Sequence, residues 1–262
     1  MTKKKYNIDV FILARLDSKR LPKKQLKKIN NQHLIKILVE RLKKSKKVRN
    51  VIVCTTIDKT DDPLVKLLKT ENILFFRGSK KDVLKRMLDA AEKFNTEKII
   101  DVEGDKIYTD LALVDKISNE ISKKGVDFVI GKRKNEYFDP ADHFIHGVVP
   151  TGFSKTILRK ICDKKKTRNT ETGYKEIFLK SNLCNVKFLE INNIKKITKN
   201  IRLTLDYPED YELAKKIFSE IGSNFDYHDI ITLYSKKPEI FKNTLKISEK
   251  WKKEYEKNRV KQ

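Results

Sequence analysis

Basic and hydroxyl side chains gather in a short segment near the N-terminus, directly after an apolar run. This segment contains Arg15, Ser18, Arg20 and Lys24. A guanidinium group binds phosphate oxygens through two parallel hydrogen bonds, and a lysine ammonium places a compact charge beside an oxygen that gains charge during transfer. The segment therefore predicts a site for a phosphorylated ligand, although a solvated basic loop would have the same composition. The absence of a Walker A sequence and of a GxGxxG fingerprint argues against the common ATPase and dinucleotide-binding classes.

Two aspartates stand at the ends of other apolar runs. Asp105 follows the run 99–102 and is preceded by Gly104, and Asp206 ends the run 202–206. Mg²⁺ prefers oxygen ligands, and proteins usually hold it with one or two carboxylates plus substrate phosphates. Each aspartate alone would also fit a turn or a helix cap. Together with the basic segment, they predict a metal site for phosphoryl or nucleotidyl transfer.

The elements that must position these residues alternate between strands and helices. The patterns predict strands over 9–14, 51–56, 73–76, 99–102, 128–130 and 202–206, and helices over 34–42, 63–69, 83–91 and 111–121. A further helix is predicted to begin at Pro208, which needs no amide partner in the first turn. Strands separated by helices of this length indicate parallel βαβ units in a sheet covered on both faces. Ligands bind beyond the carboxyl ends of such strands, where the basic segment and Asp105 both lie.

The length of 262 residues fits one large α/β domain with additions. We predict a domain over residues 1–221 and a C-terminal helical extension over 222–262. Residues 131–200 break the regular alternation, and we interpret them as a variable insertion that completes the acceptor site and forms a dimer interface.

The net charge and the spacing of the cysteines limit which classes of ligand and which cellular compartment fit this protein. Lys and Arg number 60 against 36 Asp and Glu, a net charge of +24, and the excess is concentrated in residues 1–50 and 236–262. Such blocks could attract nucleic acid, an anionic membrane surface or an acidic small substrate. No apolar run is long enough to span a membrane or to form a signal peptide. The three widely spaced cysteines fit reduced thiols, so a cytoplasmic protein is expected.

Four segments in order resemble the cytidylyltransferases that make CMP-activated acidic sugars. They are residues 12–26 (ILARLDSKRLPKKQL), 76–86 (FRGSKKDVLKR), 102–105 (VEGD) and 202–210 (RLTLDYPED). Members of that family include 3-deoxy-manno-octulosonate cytidylyltransferase and the spore-coat polysaccharide group, and the second segment resembles the latter more closely. The resemblance covers roughly residues 7–221. It implies a Rossmann-like nucleotidyltransferase fold of the GT-A type, with a mixed, mostly parallel central sheet flanked by helices.

The resemblance also implies a nucleotide-binding role for the first segment. Arg15 and Lys24 would hold the phosphates of CTP and act in catalysis, with Lys24 stabilising charge at the α-phosphate. Ser18 and Arg20 would shape the loop and support the triphosphate, and Ala14 would belong to the same binding surface.

The other segments would complete the nucleotide and metal sites. By the resemblance, Arg77, Ser79 and Glu103 would lie near the nucleotide, and Asp105 and Asp206 would ligate Mg²⁺. An oxygen of the acceptor would attack the α-phosphate of CTP and pyrophosphate would leave. Most of the catalysis would come from positioning and charge neutralisation.

The acceptor and the assembly are less closely defined by the resemblance. It implies an acidic sugar or a phosphorylated small molecule as acceptor, with His146 and Glu171 as candidate contacts. It also implies a homodimer, with Phe138, Phe144 or Phe153 at or near the interface.

Some positions depart from the family pattern, and other functions stay open. Relatives usually have glycine where this chain has Asp17 and Lys23, and an acidic side chain in a phosphate loop weakens anion binding unless Arg15 or Lys19 pairs with it. The alternatives are a nucleic-acid-binding protein and a nucleotide-binding relative without catalysis. Nucleic acid is disfavoured because no aromatic side chains alternate with the basic runs and no helix-turn-helix or zinc-finger pattern is present.

Overall fold

The central element is a twisted sheet, seen in a computed structural model that describes residues 6–132, 147–190, 201–242 and 244–258. In this part of the chain seven strands form one sheet, in the order β5-β4-β1-β6-β8-β7-β9. The strands are β1 (Ile8–Leu13), β4 (Asn50–Thr56), β5 (Phe75–Gly78), β6 (Lys98–Glu103), β7 (Phe128–Lys132), β8 (Thr151–Ser154) and β9 (Val186–Glu190). Two short strands, β2 (Lys28–Ile29) and β3 (Gln32–His33), form a separate antiparallel pair.

Parallel pairing brings the carboxyl ends of four strands to one edge. β1 lies between β4 and β6, so Leu13 is in register with both Cys54 and Glu103. β5 adds to β4 in parallel, whereas β8 runs antiparallel to both β6 and β7. The loops that follow β1, β4, β5 and β6 therefore leave from the same edge, which confirms the predicted fold and the predicted position of the basic segment.

Helices cover both faces of the sheet, as the near-continuous apolar strands require. Along β1, Val10 and Ile12 face one core and Phe11 faces the other. The first core is closed by α1 (Leu34–Leu42), α2 (Asp62–Thr70), α4 (Leu111–Ile121), α7 (Pro208–Ile221) and α8 (Tyr227–Lys236). The second is closed by α3 (Val83–Lys93), α5 (Lys155–Lys164) and α6 (Tyr174–Lys180).

Residues 202–206 were expected to form a strand, and that prediction is wrong. Residues 201–206 are buried but pair with no strand among the described residues; the Leu205 amide donates to the Asp105 carbonyl at 3.0 Å. β6 already pairs with β1 and β8, so no edge of β6 is open to them. The third predicted strand is also displaced, since β5 begins at Phe75 rather than at Ile73.

The described part of the region 131–200 contributes to the sheet itself through β8 and β9. Phe153 lies in β8 and is fully buried, and its ring packs against those of Phe128 and Phe178 at centroid distances of 6.3 and 5.0 Å. Its ring belongs to the core of the monomer, so Phe153 is not available to contact a partner subunit directly. Phe138 and Phe144 lie outside the described residues.

The C-terminal region continues the fold after α8. A 3₁₀ turn (Pro238–Phe241) precedes α9 (Thr244–Asn258), and α8 packs into the first core through Ile230 and Leu233. None of the described helices is both long and apolar enough to cross a membrane.

Candidate active site

The loop after β1 folds back on itself at the carboxyl edge of the sheet. The Leu16 amide donates to Asp61 Oδ1 at 2.7 Å, and the Lys23 amide donates to the Leu16 carbonyl at 3.3 Å. Ser18 Oγ accepts from the Leu21 amide at 3.3 Å, which is the loop-shaping role expected for Ser18. A 3₁₀ turn then presents Lys24 toward the sheet edge.

Two positions in this region place special demands on the backbone. Lys23 has φ 52° and ψ 32°, a left-handed conformation that favours glycine. Gly104 lies against the loop: a Cβ there would be 2.7 Å from Gln25 Nε2 and 3.0 Å from the Leu13 carbonyl oxygen. The absence of a side chain at Gly104 therefore allows the loop after β1 to approach the turn that carries Asp105.

Lys24 joins the two predicted metal ligands. Its Nζ donates to Asp105 Oδ2 at 3.1 Å, to the Leu205 carbonyl at 2.8 Å and to Asp206 Oδ1 at 3.4 Å. The structure thus brings Lys24, Asp105 and Asp206 together at one point, although 81 and 182 residues separate Lys24 from the two aspartates.

The electrostatic balance at this point depends on burial. Burial lowers the pKa of Lys24, but Asp105 and Asp206 more than offset that effect and hold the pKa above its ordinary value. Burial raises the pKa of Asp105, and Lys24 only partly counteracts the shift. Lys24 is therefore a fixed cation, whereas the charge on Asp105 is poorly compensated and would be stabilised by a further cation.

Asp206 is held by more cations than Asp105. Arg202 Nη2 lies 2.5 Å from Asp206 Oδ2, and Arg20 Nη2 lies 2.9 Å from Asp206 Oδ1. Arg202 is only 2% exposed. The amide of Asp206 donates to Asp210 Oδ2 at 2.9 Å, in the first turn of α7. Arg202 and Asp210 were not singled out as site residues from the sequence, although both lie in the fourth family segment.

The donor set fits a magnesium ion. Asp105 and Asp206 both direct oxygens at the position of Lys24 Nζ, and the other oxygen of Asp105, Oδ1, is buried and has no hydrogen-bond partner among the described residues. No set of three or more candidate metal-ligating side chains occurs within the described ranges. Mg²⁺ is usually held by one or two protein carboxylates, and substrate phosphates and water complete its coordination.

Arg15 links the loop to the predicted acceptor region. Its Nε lies 3.0 Å from Asp17 Oδ1, and its Nη1 lies 3.0 Å from Glu171 Oε1. Lys80 Nζ lies 3.4 Å from Asp17 Oδ2. The carboxylate of Asp17 is thus paired with Arg15 and Lys80. Glu171 is brought to the site, whereas His146 lies outside the described residues.

Arg77 and Ser79 lie at the carboxyl end of β5 and hold neighbouring loops. Arg77 donates to the carbonyls of Thr56 and Asp58 at 2.8 and 3.0 Å. Ser79 Oγ accepts from the Asp82 amide at 3.0 Å, just before α3. Both residues lie at the same edge of the sheet as the loop after β1, and their hydrogen bonds stabilise the loops that follow β4 and β5.

A second charged cluster surrounds Glu103, the residue at the end of β6. Lys175 Nζ lies 2.6 Å from Glu103 Oε1 and 3.2 Å from Asp101 Oδ2, and Lys106 Nζ lies 3.3 Å from Glu103 Oε1. Burial lowers the pKa of Lys106, whereas Glu103 and Asp101 outweigh burial and raise the pKa of Lys175. Sequence reasoning missed both lysines; the available signal for Lys106 was its position directly after Asp105, the last residue of the VEGD segment.

The C-terminal helix α9 also contacts the site. Glu254 Oε2 accepts from Arg20 Nη1 at 3.1 Å, and the Tyr255 hydroxyl donates to Glu176 Oε1 at 3.0 Å. The guanidinium of Arg202 lies 5.2 Å from the centre of the Trp251 ring. The helix therefore reaches the loop after β1, the segment 201–206 and α6, although the sequence showed only scattered apolar anchors in it.

The chain is similar in sequence to known proteins. An uncharacterized protein of Methanocaldococcus jannaschii is 35% identical over 235 residues, covering 87% of this chain and 90% of the relative. The spore coat polysaccharide biosynthesis protein SpsF of Bacillus subtilis is 28% identical over 239 residues, covering 87% of this chain and 94% of the relative.

Solved structures show the same fold. A cytidylyltransferase from Leptospira borgpetersenii superposes with a TM-score of 0.77 at 28% identity, covering 91% of this chain and 98% of the other. A CMP:2-keto-3-deoxy-manno-octonic acid synthetase, solved with CTP, superposes with a TM-score of 0.64 at 13% identity, covering 81% and 98%. The sequence profile described as Cytidylyltransferase matches residues 10–247. Because this profile covers most of the chain and of the sheet that positions Lys24, Asp105 and Asp206, the chain belongs to the cytidylyltransferase family.

Proposed function

We propose that this protein is a magnesium-dependent enzyme that transfers CMP from CTP to an acidic acceptor, with release of pyrophosphate. The acceptor class is an acidic sugar or a phosphorylated small molecule. The observation that carries the proposal is the placement of the Lys24 ammonium between Asp105 and Asp206 at the carboxyl edge of the sheet. A cation and two carboxylates at one point suit a triphosphate together with a divalent ion.

The reaction requires one bond to form and one to break. An oxygen of the acceptor attacks the α-phosphorus of CTP, and the bond from that phosphorus to the oxygen bridging to the β-phosphorus breaks. Arg15 and Arg20 would bind the triphosphate, and Lys24 would stabilise the charge that develops on the α-phosphate oxygens. Asp105 and Asp206 would hold Mg²⁺, which when bound neutralises charge on the triphosphate.

Binding of CTP would exchange internal ion pairs for pairs with phosphate. Arg15 pairs with Asp17 and Glu171, and Arg20 pairs with Asp206 and Glu254. Arg15 and Arg20 are both about one-third exposed, so the phosphates can reach them from solvent. Because the carboxylates remain nearby, the free enzyme holds its phosphate-binding cations in fixed positions before the nucleotide arrives.

The comparisons support the choice of nucleotide and of pathway. One solved relative of the same fold contains CTP, and one sequence relative carries a name that refers to spore coat polysaccharide biosynthesis. We therefore extend the proposal to the synthesis of precursors for surface polysaccharides or glycoconjugates. A homodimer is part of the same proposal, and light scattering at micromolar concentration tests it: a monomer there would contradict it.

The direct test is pyrophosphate release with each of the four nucleoside triphosphates, Mg²⁺, and a panel of acidic sugars and phosphorylated small molecules. We expect turnover with CTP in the wild type. Lys24→Ala is expected to lower kcat by about 100-fold to 1000-fold, the usual effect of removing one group that stabilises transition-state charge. Turnover in Lys24→Ala close to that of the wild type would contradict the assigned role.

The chain offers a matched control in a second basic patch. Lys43, Lys44, Lys46 and Lys47 are all exposed, and they lie at the amino end of β1, where the Arg49 amide donates to the Ile8 carbonyl. At about 3.3 Å per residue, β1 separates this patch from the site by roughly 20 Å, well beyond the Debye length of about 8 Å at physiological salt. Replacing all four lysines by alanine should leave kcat/KM within a few-fold of the wild-type value.

The same two proteins distinguish a nucleic-acid binder from the proposed enzyme. If nucleic acid were the ligand, the fourfold replacement would flatten the salt dependence of oligonucleotide binding by roughly one unit of slope per lost phosphate contact, while Lys24→Ala would have little effect. The absence of turnover with any nucleotide, combined with that pattern of oligonucleotide binding, would refute the proposed function.

A further inference from the structure

Two buried lysines share one carboxylate beside the proposed reaction centre. Lys106 is 6% exposed and Lys175 is 8% exposed, and the Nζ atoms of both approach Glu103 Oε1, at 3.3 and 2.6 Å. Lysine is rarely buried to this degree unless it is paired. Two ammonium groups that converge on a single carboxylate oxygen define a position where an oxyanion is bound.

The contacts of the two lysines are unequal. Lys175 also contacts Asp101 Oδ2 at 3.2 Å, whereas Glu103 is the one carboxylate that Lys106 contacts among the described residues. An ammonium group has three donors, and a buried donor without an acceptor destabilises the structure. Lys106 therefore has donor capacity for a second oxyanion at the point where Glu103 now lies.

The cluster opens toward the reaction centre. Glu103 and Lys106 flank Asp105 in the turn after β6, and Asp105 contacts Lys24. The Glu103 side chain is 34% exposed, so the two buried ammonium groups can be reached from solvent through the space it occupies. On the far side, Tyr255 of α9 bonds to Glu176, the neighbour of Lys175.

We propose that Lys106 and Lys175 form an oxyanion subsite that binds the acidic group of the acceptor, and that Glu103 occupies this subsite when the acceptor is absent. The inference rests on the proposed function, because it assigns the acceptor side of that reaction. The ligand chemistry is a carboxylate or a phosphate-type group. Displacement of Glu103 by the acceptor would place the rest of the acceptor beside Asp105 and Lys24, where its attacking oxygen is needed.

Two small anions serve as probes of the subsite, because the acceptor itself is unidentified. Acetate represents a carboxylate and methylphosphonate represents a phosphate. Each is titrated into the full-length protein with ligand-observed NMR, both without nucleotide and with Mg²⁺ and a CTP analogue whose α,β-bridging oxygen is replaced by methylene. The probe that binds more tightly identifies the acidic group that the subsite prefers.

Lys106→Met and Lys175→Met should each weaken probe binding by about tenfold or more, since each removes a hydrogen bond between charged groups. Glu103→Gln should strengthen probe binding severalfold, because the competing carboxylate is gone. The exposed Lys116→Met on α4 should change nothing. A purely structural role for the cluster would not predict opposite effects from Glu103→Gln and Lys106→Met.

Several results would overturn the proposal. These are equal probe affinity in the wild type and Lys106→Met, weaker binding in Glu103→Gln, and no binding of either anion to the wild type. If Lys175→Met does not fold, because Asp101 and Glu103 then face each other, the other two variants decide. Lysine-dependent anion binding without any binding of the CTP analogue would leave the subsite standing and refute the cytidylyl-transfer proposal alone.

Discussion

The two proposed metal ligands should differ in their importance for stability, although both should be essential for activity. Asp206 contacts Arg202 at 2.5 Å, Arg20 at 2.9 Å and Lys24 at 3.4 Å. Asp105 contacts Lys24 alone among these cations, at 3.1 Å, and burial already disfavours its charge by raising its pKa. Asp206→Asn therefore removes a negative charge that three cations contact in the folded state, whereas Asp105→Asn removes one that only Lys24 of these cations contacts.

The magnitude follows from the burial of Arg202. This guanidinium is 2% exposed, and in the described part of the chain Asp206→Asn leaves it with Asp210 as its one carboxylate partner, at 3.4 Å. Removing one partner of a buried ion pair costs about 3–5 kcal/mol, and we expect a loss in that range. Asp105→Asn leaves Lys24 with Asp206 and the Leu205 carbonyl, so its expected effect is below about 2 kcal/mol.

Urea-induced unfolding, followed by far-ultraviolet circular dichroism, measures these free energies. Glu40→Gln is the control, because the Glu40 side chain is 47% exposed and lies 3.9 Å from Lys36; its expected effect is below about 0.5 kcal/mol. In the pyrophosphate-release assay both aspartate variants should lose at least about 100-fold in kcat, or roughly 2.7 kcal/mol. Equal destabilisation by the two variants, or an Asp206→Asn protein as stable as the wild type, would refute the reasoning.

Three further predictions test the backbone and the core. Lys23→Gly should alter the free energy of unfolding by less than about 1 kcal/mol, whereas Lys23→Val should lower it by more than that, since a β-branched residue resists φ 52°; urea unfolding would contradict this if the valine variant matched the wild type. Gly104→Ala should lower kcat/KM by about tenfold or more with the fold retained, because its Cβ would displace Gln25 or Leu13; a change below about twofold would argue against close apposition of the loop. Burial raises the pKa of the Cys54 thiol from 9.0 to about 12. The wild type should therefore lose stability as pH rises from 9.0 toward about 12, by roughly 1.4 kcal/mol at about pH 10. Cys54→Ala should lack that part of the loss, and identical pH dependence of the two proteins would contradict the assignment.

Local pattern in the sequence was sufficient for much of the fold and for the central chemistry. Apolar periodicity located β1, β4, β6 and α1 to within one or two residues, because the side-chain period of a strand or helix is a property of neighbouring residues. The same local information pointed to Asp105, Asp206 and the basic segment, in which the family resemblance then singled out Lys24. Parallel strands bring their carboxyl ends to one edge, so residues that follow different strands were expected to meet there.

The tertiary structure decided which charges pair and how deeply they are buried. Residues 202–206 have the apolar pattern of a strand, yet they form none, and both edges of β6 are occupied by β1 and β8. Phe153 was one of three phenylalanines expected at or near a dimer interface, and antiparallel β8 places its ring in the core. The bond between Arg20 and Glu254 joins residues 234 positions apart, and that between Lys175 and Glu103 joins residues 72 apart. No local pattern encodes such pairs, since their energies depend on the dielectric surroundings and the distances that exist only after the sheet, α6 and α9 have packed together.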